Sequence, residues 1–347
     1  MVRDRPKVPP VAAYARVMQS RSQSRQLGST GLSVSALGIG LAALGRPGYI
    51  NVGHDRDFPG GRSVEAMRGA TFAVLDAAWE AGIRYVDVAR SYGRAEEFLA
   101  AWLAARGITP DALTIGSKWG YTYVADWQTD AAVHEVKDHS LATLQRQVAE
   151  STGLLGRHLD LLQVHSATLD SGILDSAAVL DALIGLRRDG VVDAIGLTLS
   201  GAAQARTLRV AAGLARQGER VFDTVQATFN VLERSAGEAL AEAHSQGMGV
   251  LVKEALANGR LVLGDPAERI RPVAARLGTS VDAVALRFVL DQPWADVTLL
   301  GPATVAQLES NLLARDLQLD AEACEALETL RTDPVRYWDH RAHLAWH

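Results

Sequence analysis

Eight short apolar runs, each about the length of one buried strand, recur at fairly regular intervals between residues 36 and 301. They are Ala36–Leu41, Arg84–Ala89, Leu113–Lys118, Leu159–His165, Asp193–Leu199, Thr224–Phe229, Gly249–Ala255 and Val297–Gly301. Most are continuous rather than alternating, which is typical of strands covered on both faces. Helical patterns lie between them, such as 63–81 before Gly82 and 175–189 before Gly190, and glycine is expected just beyond a helix. Eight alternating strand and helix units predict an α/β fold of the closed (β/α)8 TIM-barrel type.

The chain is long enough for one barrel with extensions. Of its 347 residues 48% are hydrophobic and 22% are charged, which is close to the composition of globular domains. No linker rich in Pro, Gly or Ser divides it, so we expect residues 26–347 to form a single barrel domain. Residues 1–25 are predicted to be a mobile N-terminal extension. A short hairpin should follow, because the turn-forming tetrapeptide 28–31 separates two short strand-like segments at 25–27 and 32–35.

Charge and cysteine content exclude several classes of protein. The net charge of -5 argues against a nucleic-acid partner, and no uncharged apolar run is long enough to cross a membrane. Cys324 is the single cysteine, which rules out an intrachain disulfide. The first 25 residues lack the apolar core of a secretory signal, although their Arg and Ser content leaves an organelle transit peptide open. We therefore expect a cytoplasmic protein, with no prediction of its oligomeric state.

Three segments are expected to cover the face of the barrel where the strands end. The first is the long Gly- and Pro-containing connection 46–62, since long loops inside compact domains are usually functional or disordered. The second follows Trp119 and contains Tyr121. The third is the C-terminal tail, which carries Arg341 and Trp346.

Four polar side chains lie at or just beyond the ends of three successive predicted strands. Asp87 and Tyr92 follow the second strand, Lys118 ends the third, and His165 ends the fourth. The strand ends of such a barrel converge on one face, where polar residues tend to be catalytic. A phenol can give a proton to a developing alkoxide if a cation such as Lys118 lowers its pKa, and Asp87 would compensate that buried cation. Since the set contains neither a strong nucleophile nor metal ligands, it points to proton transfer coupled to an external hydride donor.

Each of these residues also has a purely structural explanation. Asp87 could cap a helix, Lys118 could extend its amine to solvent, and a strand-end histidine is often a satisfied core residue. Their occurrence at three consecutive strand ends favours a shared function. The remaining histidines, such as His134 and His139, lack a supporting third ligand, so no metal site is predicted.

The chain resembles the aldo-keto reductase superfamily from about Gln26 to at least Leu313. The matching segments are LGSTGLSVSALGIG near the start, AGIRYVDVARSYG around Asp87, SKWG at Lys118 and LQVH at His165. The resemblance implies a TIM-type barrel that binds NAD(P)H without a Gly-rich Rossmann loop and interconverts carbonyls and alcohols. It also implies that Asp87, Tyr92, Lys118 and His165 form the catalytic tetrad, with Tyr92 as the general acid.

The same resemblance assigns cofactor-binding residues, with departures from the family pattern. Gln226 matches the glutamine that contacts the nicotinamide amide, and Thr198 stands where the family usually has a serine with the same role. After the seventh strand the family often has Tyr-Ser-Pro-Leu, but this chain has Lys-Glu-Ala-Leu at 253–256. The next segment would bind the pyrophosphate, and the predicted contact residues are Leu256, Asn258 and Arg260.

The end of the barrel resembles the family's adenosine-binding segment, with Gly301, Gln307 and Asn311 as predicted contacts. NADP-selective members commonly have Arg or Lys where this chain has Ala303, since a ribose phosphate needs a cation to offset its desolvation. The resemblance slightly favours NADP as the cofactor, whereas Ala303 argues against strong selectivity. Either NADP or NAD is therefore expected.

Three functions remain open at the level of sequence. The leading one is an NAD(P)-dependent oxidoreductase acting on an aldehyde, ketone or aldose, or on the corresponding alcohol. The second is a non-catalytic barrel that senses nicotinamide and regulates a partner. The third is a lyase or isomerase that uses Lys118 to form a Schiff base.

Overall fold

Eight parallel strands close into a barrel within residues 24–347, the part of the chain that the computed structural model describes. The strands are β1 Leu37–Gly40, β2 Tyr85–Asp87, β3 Thr114–Trp119, β4 Leu161–Ala167, β5 Ala194–Leu199, β6 Thr224–Thr228, β7 Gly249–Lys253 and β8 Val297–Leu300. Each pairs with its neighbours in chain order, and β8 pairs with β1 to complete the ring. The predicted barrel is confirmed, with strand bounds that differ from the sequence estimates by at most two residues.

Helices surround the barrel and cover its apolar outer surface. They are α1 Val64–Glu80, α2 Ala95–Arg106, α3 Leu141–Leu155, α4 Ala177–Arg188, α5 Gln204–Ala212, α6 Gly237–Ser245, α7 Arg260–Leu263, α8 Asp265–Arg276, α9 Val281–Leu290, α10 Val305–Leu312, α11 Ala321–Glu328 and α12 Pro334–Ala342. Capping side chains fix several starts: Ser63 accepts a hydrogen bond from the Ala66 amide before α1, and Thr304 accepts one from the Gln307 amide before α10. Among the described helices, none is both long and apolar enough to cross a membrane.

The predicted N-terminal hairpin closes the end of the barrel opposite the functional face. Residues 25–26 pair antiparallel with residues 33–34, and Leu27 is fully buried among side chains from the first positions of the barrel strands. Gly28 has a φ of +53°, and a Cβ there would lie 2.2 Å from the Gly249 nitrogen, so the turn requires glycine. Of the predicted mobile extension, residues 1–23 lie outside the described part of the chain.

Three long segments lie at the C-terminal end of the barrel. The connection between β1 and α1 spans residues 41–63, and the connection after β3 folds into a ribbon in which Tyr121–Tyr123 pairs with Glu135–Lys137. The chain after α12 returns to the first connection, where Tyr49 and His347 exchange two backbone hydrogen bonds of 3.2 and 3.0 Å. These contacts place the last residues across the mouth of the barrel.

Candidate active site

A cavity of about 630 Å³ lies beneath these segments at the C-terminal end of the barrel. Asp87, Tyr92 and His165 line one end, and Gln307 and Asn311 line the other. Cavities that bind small ligands usually enclose about 300–1,000 Å³, so the space suits a small molecule rather than a polymer. In the described part of the chain, no three His, Cys, Asp or Glu side chains are grouped so that they could hold a metal ion.

Lys118 joins Asp87 and Tyr92 because β2 and β3 are neighbours in register. Its Nζ contacts Asp87 Oδ1 and lies 3.0 Å from the Val88 carbonyl oxygen and 3.2 Å from Tyr92 Oη. Lys118 and Asp87 are only 1% and 2% exposed, and Lys118 is separated from the cavity. The three ammonium protons therefore have three acceptors, and Asp87 and Tyr92, but not Lys118, line the cavity.

The second carboxylate oxygen of Asp87 is equally well satisfied. It accepts hydrogen bonds from Gln226 Nε2 at 2.8 Å, from Gln163 Nε2 at 3.2 Å and from Tyr85 Oη at 3.3 Å. Hydrogen bonds from this many donors offset the cost of burying a carboxylate. Asp87 is thus a fixed negative charge that compensates Lys118.

The protonation of Tyr92 differs from the expectation that Lys118 lowers its pKa. Burial raises the pKa of Tyr92 far above its usual value, and the negative charge of Asp87 raises it further, while Arg46 has a smaller opposite effect. Desolvation of the phenol is the largest cause, and the nearby carboxylates add to it, so together they outweigh the effect of Arg46. Tyr92 is therefore protonated at neutral pH and poised as a proton donor.

A bulge in β4 directs His165 towards Tyr92. Ser166 has a φ of +52°, and the pairing between β4 and β5 shifts between Val164 and Ala167. The Ser166 amide donates to Thr198 Oγ1 at 2.8 Å, which fixes the bulge. The His165 and Tyr92 rings meet edge to face with centroids 5.7 Å apart. Burial lowers the pKa of His165 well below its usual value, and nearby cations, first Lys118, lower it further, so the imidazole is neutral.

A partly buried ion pair that the sequence analysis missed lies beside this group. Arg46 is 3% exposed and donates to the Ser91 carbonyl oxygen at 2.9 Å and to Glu135 at 2.8 Å. Its guanidinium lies over three aromatic rings, including Tyr92 at 5.3 Å and Trp346 at 4.8 Å. Arg46 and Glu135 belong to different loops, and no sequence motif links them. The one signal in the sequence was that Arg46 lies in a loop rich in Gly and Pro.

A second charged cluster occupies the place where the family pattern has an aromatic residue followed by serine. Glu254 has a φ of +54° and accepts hydrogen bonds from Arg341 Nε at 2.8 Å and from Thr228 Oγ1 at 3.0 Å. Burial raises the pKa of Glu254, but Arg341 and Lys253 outweigh it and lower the pKa to about 2. Burial lowers the pKa of Lys253 to about 8. The side chains of Lys253, Glu254 and Arg341 all line the cavity.

Most of the predicted cofactor-binding residues line this cavity. Those that do are Gln226, Leu256, Asn258, Gly301, Gln307 and Asn311. Thr198 and Arg260 do not: Thr198 supports the bulge at Ser166, and Arg260 packs over the Tyr337 ring at 4.2 Å while donating to the Ala257 carbonyl oxygen. The part that each residue plays in cofactor binding stays a prediction.

Comparison with known proteins identifies the family of this arrangement. A model of the aldo/keto reductase family matches residues 59–332. The chain is 26% identical over 344 residues to D-threo-aldose 1-dehydrogenase of a Pseudomonas species, covering 89% of this chain and 100% of that protein. It is 27% identical over 299 residues to norsolorinic acid reductase of Emericella nidulans, covering 79% and 76%. A crystal structure of an aldo-keto reductase from Pseudomonas aeruginosa matches with a TM-score of 0.61 and 28% identity, covering 88% of this chain and 97% of that one.

Proposed function

The chain belongs to the aldo/keto reductase family of oxidoreductases, and we propose that it interconverts a carbonyl and an alcohol with Tyr92 as the proton donor and acceptor. One observation carries the proposal. The Tyr92 hydroxyl lies on the cavity wall, 3.2 Å from a lysine ammonium that is itself held by a buried carboxylate. That arrangement gives a phenol proton direct access to a small molecule.

Reduction of a carbonyl adds a hydride to its carbon and a proton to its oxygen. A nicotinamide cofactor, when bound, supplies the hydride for reduction or accepts it during oxidation. Tyr92 is protonated before reduction, so it can donate its proton to the oxygen as negative charge develops there. Lys118 then stabilises the phenolate that remains, because its ammonium already faces the phenol oxygen. In the oxidative direction, Tyr92 takes the proton back.

His165 is assigned the positioning of the substrate oxygen. A neutral imidazole carries one N–H, and His165 lies on the cavity wall next to Tyr92. Its low pKa prevents it from competing with Tyr92 as an acid at neutral pH. Two donors, the phenol and the imidazole, can therefore meet one carbonyl oxygen, and this directs the carbon towards the hydride.

The residues along the cavity fit a nicotinamide dinucleotide. Polar side chains occur at both ends, and Asn258 Oδ1 is buried without a hydrogen-bond partner in the described chain. Gly259 has a φ of +82°, and a Cβ there would lie 3.0 Å from the Val52 carbonyl oxygen, so this part of the wall has space for backbone only. We assign Gln226 to the nicotinamide end, Leu256 and Asn258 to the middle, and Gly301, Gln307 and Asn311 to the adenosine end.

The other two functions are less well supported. A Schiff base requires a free amine that reaches the substrate, but Lys118 is separated from the cavity and its three protons are held by acceptors. A purely sensory barrel would have no need of all four side chains in contact. The names of the two curated relatives describe an oxidation in one case and a reduction in the other, which supports carbonyl and alcohol chemistry without fixing its direction.

The test is a thermal-unfolding titration with NADH, NADPH, NAD and NADP, followed by an absorbance assay of aldehydes, ketones and aldoses with the cofactor that binds best. We expect at least one dinucleotide to raise the unfolding temperature, and one of the carbonyl compounds to consume the reduced cofactor. If none of the four dinucleotides binds, the proposed function is wrong.

A further inference from the structure

We infer that this chain prefers NAD(H) to NADP(H) because two carboxylates, Asp57 and Asp282, face the place assigned to the adenosine ribose. The inference rests on the proposed function and adds a specificity-determining residue, Asp57, to it. The argument depends on which hydrogen-bond donors and acceptors remain free at that end of the cavity.

Asp57 is carried to this end by the first loop. It lines the cavity, and its Oδ1 accepts a hydrogen bond of 2.7 Å from Gln307 Nε2. Its Oδ2 lies 3.1 Å from Nδ1 of His54, a fully buried side chain. The loop itself is anchored nearby, since the Val52 amide donates to the Asn258 carbonyl oxygen at 3.0 Å. The carboxylate is thus held in place over the cavity.

Asp282 is the second carboxylate in this part of the cavity wall. It is 7% exposed, lines the cavity at the start of α9, and accepts hydrogen bonds from two residues of α10. Asn311 Nδ2 donates to its Oδ2 at 2.6 Å, and Ser310 Oγ donates to its Oδ1 at 2.9 Å. Two negative charges therefore flank the segment that contains Gln307 and Asn311.

The polar side chains between them are already largely committed. Gln307 donates one N–H to Asp57 while its Oε1 accepts the Ala303 amide at 2.7 Å, so one of its two side-chain N–H groups remains free. Asn311 and Ser310 donate to Asp282. What remains free on these side chains is mainly acceptor capacity. Ribose hydroxyls are donors and match it, whereas a 2′-phosphate offers only acceptors and negative charge.

No cation offsets this charge from the cavity wall. The Lys and Arg side chains that line the cavity in the described chain are Arg46, Lys253 and Arg341, and all three are engaged at the catalytic end. Arg46 pairs there with Glu135, and the other two pair with Glu254. A ribose phosphate would thus be desolvated beside two carboxylates without a charged partner. Among the described residues at this end of the cavity, backbone amides in the first turn of α10 would oppose this effect.

The experiment measures dissociation constants of NADH and NADPH by calorimetry for the wild type and for Asp57→Asn. The asparagine keeps an oxygen that can accept from Gln307 but removes the charge. Asp55→Asn is the matched control, because it removes a carboxylate from the same loop that is 57% exposed and does not line the cavity. The adenosine fragments 5′-AMP and 2′,5′-ADP serve as probes of this end alone.

We expect the wild type to bind NADH at least about tenfold more tightly than NADPH, and 5′-AMP more tightly than 2′,5′-ADP. Asp57→Asn should reduce the NADH preference by about fivefold or more, and Asp55→Asn should leave it unchanged. Tighter binding of NADPH by the wild type, or equal ratios in the two variants, would overturn the inference while leaving the proposed function intact. Failure of both cofactors to bind would overturn both.

Discussion

Replacing Tyr92 by Phe removes a single oxygen atom from the proposed reaction centre. We expect turnover to fall at least about 10²-fold, which is the lower end of what a positioned general acid contributes. That loss corresponds to roughly 3 kcal/mol of transition-state stabilisation. It arises because the cavity wall next to Lys118 then has no proton to give to the developing alkoxide.

The contacts that remain explain why this loss should be confined to the chemical step. The ring keeps its edge-to-face contact with His165 at 5.7 Å and stays 5.3 Å from the Arg46 guanidinium. Lys118 loses one of three acceptors but keeps Asp87 and the Val88 carbonyl oxygen. An unmet donor of this kind costs about 1–3 kcal/mol, less than the 5–15 kcal/mol by which proteins are typically stable. The variant should therefore fold and bind cofactor nearly as the wild type does.

The assay is steady-state turnover together with the cofactor dissociation constant for both proteins. Tyr121→Phe is the matched control, since Tyr121 also lines the cavity and its ring lies 4.9 Å from that of His165. It should change turnover by no more than a few fold. The reasoning is refuted if Tyr92→Phe retains more than a tenth of wild-type turnover, or if Tyr121→Phe loses as much.

Two further predictions concern the buried charges. Asp87→Asn and Lys118→Met should each lower the free energy of unfolding by about 3–5 kcal/mol, because each leaves one charge buried without its partner. The double variant should lower it by much less than the sum of the two. Additive shifts in thermal unfolding would show that the pair is not coupled. Glu254→Gln should be less stable than the wild type at pH 7, by about 3 kcal/mol at most. The reason is that the pKa of Glu254 is lowered in the folded state to about 2, so its carboxylate stabilises the fold at any pH above its ordinary pKa of 4.5. That difference should shrink as the pH falls from about 4.5 towards 2, and a difference independent of pH in thermal unfolding would contradict it.

The barrel could be predicted because its determinants are local and repeated. Continuous apolar runs such as residues 250–252 must be buried on both faces, and glycines such as Gly190 mark where the intervening helices end. Once strands alternate with helices, topology alone brings the ends of β2, β3 and β4 to one face. The meeting of Asp87, Lys118 and His165 follows from that geometry, without any knowledge of their contacts.

The electrostatic state of the site could not be read in the same way. The pKa of Tyr92 depends on how completely the phenol is desolvated and on the balance between Asp87 and Arg46. Arg46 meets Glu135 only because two loops, 89 residues apart in sequence, fold over the same cavity. Thr198 is a second example. The resemblance assigns it to the cofactor, but its hydroxyl accepts the Ser166 amide in the bulge of β4, which the sequence did not predict.

Glu254 departs from the family pattern, and the structure shows which contacts this residue makes. A residue other than glycine at a φ of +54° is strained, so something in the fold must compensate for it. The carboxylate does so by holding Arg341, which belongs to α12, and its backbone carbonyl oxygen accepts from Asn230 at 2.9 Å. The chain beyond α12 then lines the cavity with Leu344 and Trp346. Glu254 thereby attaches the C-terminal segment to the wall of the cavity, so we expect its replacement to loosen that segment as well as to remove the charge.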